Sequence, residues 1–372
     1  MAFNRSGTQT HGDVIVNKTA DGVDLNDIWN ELTDAIGEYN KHRSAIASLL
    51  TYRTTEVADA IAQDVTAEVF EEATEFGAPR GISDPSYLKV AFDFRDWDLG
   101  LRASWRYLRD ATAEQIENRM TRALEADNRL VTGAVLERLF SNVVRTNDFG
   151  LNVYGLYNGD GTKPPSHMGR DFLGTHTHML TTQSLTLDSL DLESGITHLT
   201  EHGHGSTQRA KLILLIHPDD LTASKLTTWR AGVEYDTGKT PAFDFIPSSN
   251  APARITTERV EGAVPPPEYQ GLDVTGSYGK ALIVESYFIP KGWCAIVATG
   301  GPNSNDNVIG FREHRDSSYS GLRLIPGVGP YPIQESFLVR SFGTGVRHRG
   351  AAVAIQITNN PVYAPPTIIA HR

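Results

Sequence analysis

The chain of 372 residues holds a single cysteine, Cys294. One cysteine excludes an intrachain disulfide framework and any multi-cysteine zinc or iron–sulfur site. Its place in the apolar run Trp293 to Ala298 fits a small buried thiol better than a nucleophile. Basic residues are outnumbered, 34 Lys and Arg against 45 Asp and Glu, for a formal charge of −11. That balance argues against a protein that grips nucleic acid through a phosphate-neutralising face. Long hydrophobic runs are also missing. Met1 to Lys18 is polar without an apolar export signal, and the longest apolar runs, such as Leu212 to Ile216, are far too short to span a bilayer. The expectation is a soluble protein made inside the cell, with no membrane partner. Catalytic signatures are scarce: there is no Gly-x-Ser-x-Gly elbow. Gly238-Lys239-Thr240 imitates the end of a phosphate-binding loop, but Val233 stands where the first glycine belongs and Pro241 opposes the helix that must follow. Gly343-Thr344-Gly345 lacks the third glycine of a dinucleotide fingerprint and reads as a turn.

What is present is globular: 40% hydrophobic and 21% charged residues, in a length that allows about two or three domains. The first 23 residues hold few apolar side chains and read as a flexible tail. Leu25, Ile28, Trp29, Leu32, Ile36 and Tyr39 then recur at helical spacing, continuing weakly through Ile46 and Leu50, with Asp24 or Asn26 as the cap. The stripe bearing Trp29 packs either on the chain's own core or on a partner. Residues 66–105 read as a long β-hairpin around Gly77 to Gly81 and Ser83-Asp84-Pro85. Its return run changes phase: Leu88, Val90, Phe92 and Phe94 are apolar on even positions, then Trp97, Leu99, Leu101, Ala103 and Trp105 on odd ones. Strand side chains have period two, so the apolar face moves to the other side of the ribbon near Arg95. Either a bulge in one sheet does this, or the ribbon lies over two different surfaces.

A long helix over about 112–142 opens with the capping box Thr112 to Gln115; its apolar residues share one stripe, so it should lie across a surface. A shorter helix from about Asp188 to His202 stops at Gly203 and leads into the apolar strand Lys211 to His217, then a helical turn at Pro218. Pro265-Pro266-Pro267 is a stiff connector. Strands are expected at 281–288, 294–298, 336–340 and 351–357. Helices and strands mix without regular βαβ alternation, so the fold class is α+β.

Five of the 12 histidines fall between His176 and His204. His198-Leu199-Thr200-Glu201-His202 matches the His-x-x-Glu-His pattern of the inverted zincins, in which two histidines one helical turn apart ligate zinc. Gly203 ends the helix one residue later, and histidines in a last turn are favoured by the helix dipole alone. The third ligand is not legible, so the expectation is no metal, no cofactor and no catalytic residue.

The order of elements resembles the major capsid proteins of tailed bacteriophages, with the Hong Kong 97-type fold, and among them those of actinobacterial siphophages. The likeness rests on Phe92-Asp93-Phe94-Arg95-Asp96-Trp97 with Leu101-Arg102-Ala103 before the long helix, Tyr154-Gly155-Leu156-Tyr157-Asn158-Gly159 after it, and Leu212 to Asp220 in the centre. The resemblance implies an N-terminal arm (1–65), an extended E-loop hairpin (66–105), a P-domain split between 106–172 with the spine helix and 331–372, and an A-domain (173–330). It implies self-assembly into hexamers and pentamers of an icosahedral shell enclosing double-stranded DNA without sequence-specific binding. Synthesis would be in the bacterial host cytoplasm, with the finished protein in the virion. With about two dozen residues before the first helix, a separate scaffolding protein is expected, with a portal and optionally a decoration protein. Trp29, Lys89, Phe92, Phe94, Arg95 and Trp97 are the candidate contacts between subunits. Some members join an E-loop lysine to a C-terminal asparagine beside an acid. Here Lys89, Asn359 and Asn360 are present, but no Asp or Glu follows Glu335, so cross-linking is disfavoured. Two other readings remain: an encapsulin-like compartment with the same fold, and a zinc hydrolase using His198, Glu201 and His202.

Overall fold

Asp24 starts the first helix by accepting the amide of Asn26 at 2.9 Å, satisfying one of the free N–H groups of the opening turn. The computed structural model describes residues 18–41, 44–63, 86–205, 210–251, 264–327 and 333–368, with parts of 68–81. Most of the expected tail, and Pro79, Arg80 and Ser83 to Pro85 of the hairpin turn, lie outside the described residues. The helices are α1 Leu25–Lys41, α2 Ala45–Leu50, α3 Trp105–Asp110, α4 Ala113–Phe140, α5 Ser189–Glu201 and α6 Pro218–Ser224. The strands are β1 Thr51–Thr54, β2 Ala58–Gln63, β3 Ser86–Ala91, β4 Arg95–Ser104, β5 Arg145–Thr146, β6 Asn152–Val153, β7 Met179–Thr181, β8 Lys211–Ile216 and β9 Phe245–Pro247. They continue as β10 Glu268–Tyr269, β11 Leu272–Asp273, β12 Gly276–Tyr278, β13 Ala281–Glu285, β14 Trp293–Thr299, β15 Ile309–Arg312, β16 Leu322–Pro326, β17 Ile333–Val346 and β18 Ala352–Gln356. This is α+β, as expected.

The chain divides into two compact units, each built from three separated segments. The first comprises 1–44, 94–131 and 313–342. Its antiparallel sheet has the order β16-β17-β4, in which residues 333–342 of β17 serve as the central strand. Helix α1 packs on β16, and Ile36, Met120, Ala123, Leu322 and Leu338 form the core between helices and sheet. The side chain of Asn40 completes this packing: it donates to the Leu322 carbonyl at 2.9 Å and accepts from the Leu322 amide at 2.8 Å.

The second unit comprises 45–93, 132–312 and 343–372. Its mixed sheet has the order β7-β18-β14-β8-β13-β12-β9, with β8 apolar and buried from Leu212 to Ile216 because it is central and covered on both faces. Helix α5 lies on β14 and β18; Gly195 allows the approach, since a Cβ there would meet Ile296 at 2.7 Å. A second sheet joins β1, β15 and residues 343–346 of β17.

Several local expectations change. The hairpin ladder pairs β2 with β3, so its outgoing arm is 58–63 and no strand covers the described residues of 68–73. The alanines of β2 gave almost no period-two signal. The return run is two strands in two sheets: β3 pairs with β2, β4 with β17, and Phe92 to Phe94 lie between them. The phase change therefore marks an exchange of ladders and not a bulge in one sheet. Gly343-Thr344-Gly345 is strand, not turn. The capping box of α4 is formed, with Gln115 accepting the Thr112 amide at 3.2 Å. Its second half, however, is buried on nearly every face from Val131 to Phe140, including Arg138. Burial on all sides means that this half threads a core and does not only cross a surface.

Candidate functional site

The expected contact residues fall in different settings. In the second unit, Lys89 stands exposed on β3 opposite Ala60. Phe92 is fully buried in the chain's own core and is withdrawn as an outward contact. Its ring lies over the pair Gly310 and Gly345, which face each other on β15 and β17. The following Asp93 donates its amide to the Thr344 carbonyl at 3.1 Å and pairs with the buried Arg138 of α4 at 3.6 Å. In the first unit, Phe94 is half-buried with its ring 6.5 Å from His314, Arg95 is exposed, and Trp97 is half-buried opposite Arg340. Trp29 lines an apolar groove of about 200 Å³ with Leu25, Leu32, Leu101 and Leu108. The odd positions Trp97, Leu101 and Ala103 are the more covered face of β4, as the alternation implies.

The connection between β2 and β3 adds residues that sequence reasoning missed. Val69 is 80% exposed and Phe70 fully exposed, and Tyr87 on β3 is 63% exposed. Two neighbouring apolar side chains in an acidic segment gave no strand period, and the cue was their isolation among glutamates. Residues 58–91 carry seven acidic side chains against two basic ones, so this ribbon holds much of the net negative charge.

Arg349 was also missed. Its guanidinium is buried and donates to the carbonyls of Gly155 at 2.8 Å and Leu156 at 3.3 Å, and to Asp160 at 2.6 Å. The rings of Tyr154 and Tyr157 cover it at 4.6 and 4.5 Å. The Tyr154 to Gly159 segment is thus wrapped around one distant cation.

The histidine-rich stretch folds differently from the linear motif. His202, the C-cap of α5, meets His176 and His178 from the approach to β7: His176 Nε2 lies 2.9 Å from His202 Nε2 and 3.2 Å from His178 Nε2. These three rings could hold a metal; His198 is not within the group, and Glu201 is paired with Arg170 at 2.8 Å. His198 instead places Nδ1 2.8 Å from the Ser194 carbonyl, one turn back. Phe172 stacks on His202 at 4.0 Å. Burial, then the neighbouring histidine charges, pushes His202 down to about 3, and burial holds His178 well below the usual histidine value. Both are neutral near pH 7.

Comparison with solved structures gives a likeness over nearly the whole chain. A protein of Mycobacterium phage Patience is 38% identical, with 98% of this chain and 96% of that chain covered and a TM-score of 0.74. The mature capsid of bacteriophage PhiM1 matches at 11% identity over 86% of this chain and 88% of that chain, TM-score 0.50, a likeness of fold. An encapsulin complex from Synechococcus elongatus matches at 11% identity over 86% and 89%, with a TM-score of only 0.45. No protein-family model and no curated protein matches the chain.

Proposed function

The chain belongs to the major capsid proteins of tailed bacteriophages with the Hong Kong 97-type fold, and on that premise we propose that its copies join as hexamers and pentamers into an icosahedral shell around double-stranded DNA. The observation that carries this is the 38% identity along 98% of the chain with a phage protein of the same fold. The protein is a structural component of the virion, and its chemistry is contact rather than turnover. The region around residues 66–105 acts as the E-loop, reaching over a neighbouring subunit, with 1–65 as the arm, 106–172 and 331–372 as the P-domain and 173–330 as the A-domain. The exposed Val69, Phe70 and Tyr87 support an outward-reaching arm. A wall carrying −11 per copy encloses packed phosphates without holding them. Synthesis belongs in the host cytoplasm, with a separate scaffolding protein, a portal and optionally a decoration protein as partners.

Electron microscopy of purified particles tests the reading. Closed icosahedral shells with nuclease-resistant DNA inside are the expected result. Shells filled with protein cargo would point to a compartment of the encapsulin kind, and absence of any shell would remove the assembly reading. Boiled particles should run as intact monomers on a denaturing gel, because no acid lies between Glu335 and the Asn359–Asn360 pair to assist a Lys89–asparagine bond.

A further inference from the structure

We propose that His176, His178 and His202 form a zinc site that pins the C-terminal end of α5 to the entry of β7. The geometry comes from three imidazoles whose nitrogens converge, with all ligand atoms within 4.8 Å of one another. Two nitrogens bound to one tetrahedral zinc at about 2.0–2.1 Å lie about 3.3 Å apart. The separations of 2.9 and 3.2 Å between the Nε2 atoms are close to that spacing.

The proton count points the same way. His178 Nδ1 is 2.8 Å from the Ala352 carbonyl oxygen, which can only accept, so Nδ1 carries the proton and Nε2 offers a bare lone pair into the cluster. His178 is fully buried, so this lone pair faces the other two imidazoles and not bulk solvent. Without a cation, one Nε2–H on His176 must serve both His178 and His202 at once. A metal ion accepts all three lone pairs together. The bond to Ala352 is also the outer contact that holds a ligating imidazole in the right tautomer, and Phe172 stacked on His202 supplies an apolar wall.

The donor set selects the ion: neutral imidazoles suit zinc and other divalent first-row transition metals, not calcium or magnesium, which require oxygen. A role in fixing structure follows from Glu201, whose carboxylate is taken by Arg170 and is not poised to activate water. The linear His198-x-x-Glu-His202 motif is thus replaced by a set contributed from two elements, and the sequence expectation of no metal is revised. The proposal stands on these residues and is independent of the capsid reading.

The test is metal content and spectroscopy of the full-length protein, equilibrated with zinc and then freed of loose metal by gel filtration. About one zinc per chain is expected, with a raised thermal midpoint in zinc but not in magnesium. Cobalt(II) should give the intense visible bands of a four-coordinate site, three imidazole nitrogens and one further ligand such as water. His176→Gln and His202→Gln should each lose the tight ion, while His314→Gln, remote in sequence and in the other unit, should keep it. Wild-type protein without stoichiometric zinc overturns the proposal, whether or not the variants fold. Undiminished binding in both folded variants overturns it as well, by locating the ion elsewhere.

Discussion

Phe92 explains two glycines, Gly310 and Gly345, the second of which lies in the run that imitates part of a dinucleotide fingerprint. A Cβ on Gly310 would run into its ring, and one on Gly345 would lie 2.7 Å from the ring and 2.5 Å from the Ala91 carbonyl oxygen. Gly345→Val should therefore cost at least about 1–3 kcal/mol by overpacking, and Phe92→Ala about 3–5 kcal/mol by leaving a cavity. Urea denaturation of the unassembled subunit measures both; unchanged midpoints would refute the packing account. The Arg349 site makes a pH prediction. Burial raises the Asp160 carboxyl, but the hydrogen bond from Thr162 and the charge of Arg349 more than offset it, so the net shift is downward. A carboxyl depressed in the folded state stabilises above its ordinary value, and that contribution is lost as pH falls through the lower folded value. Asp160→Asn should cost about 1.5–3 kcal/mol at pH 7, the range for a hydrogen bond to a charged group. The gap from wild type should close on acidification. Sequence periodicity exposes the apolar residues of these sites but not Arg349 or the Gly310–Gly345 pair, because their partners lie far away along the chain.

At the level of elements, the legible parts were those whose signal is local. A capping box for α4, a glycine stop for α5 and helical spacing gave both helices to within two residues, and the phase change in 88–105 marked where β3 hands over to β4 without revealing that the ladders change partner. The outgoing arm β2 was illegible because alanine alternating with polar residues buries too little to mark a face. The metal-ligand set was half legible: His202 belonged to the motif, while His176 and His178 join it only through the pairing of β7 with β18. If β4 carries a contact between subunits, Trp97→Asp should block particle formation yet leave soluble protein, since Trp97 is only half-buried in its own unit. Sedimentation would separate shells from free subunits; shells of wild-type yield would reject that role. Phe70→Asp, fully exposed on the hairpin connection, should likewise lower shell yield without moving the denaturation midpoint of the free subunit.

For the whole molecule, the apolar surface left on the arm and in the Trp29 groove means that stability belongs partly to the assembly. Shells should unfold at a higher temperature than unassembled subunits, because contacts available only to the folded state shift the equilibrium toward it. Scanning calorimetry of the two forms checks this, and equal midpoints would contradict it. Many moderate contacts repeated over a closed surface suffice, so no single one need be strong. The shared strand β17 has a further consequence, which concerns time. Residues 333–342 are the central strand of one sheet, and 343–346 are an edge of the other. A ribosome releases the chain from its N-terminus, so neither of these two sheets can close until residues 333–346 have emerged. One sheet in each unit waits on this same strand. Until then the nascent chain carries two incomplete sheets with unpaired edges, the kind of surface that aggregates unless it is shielded.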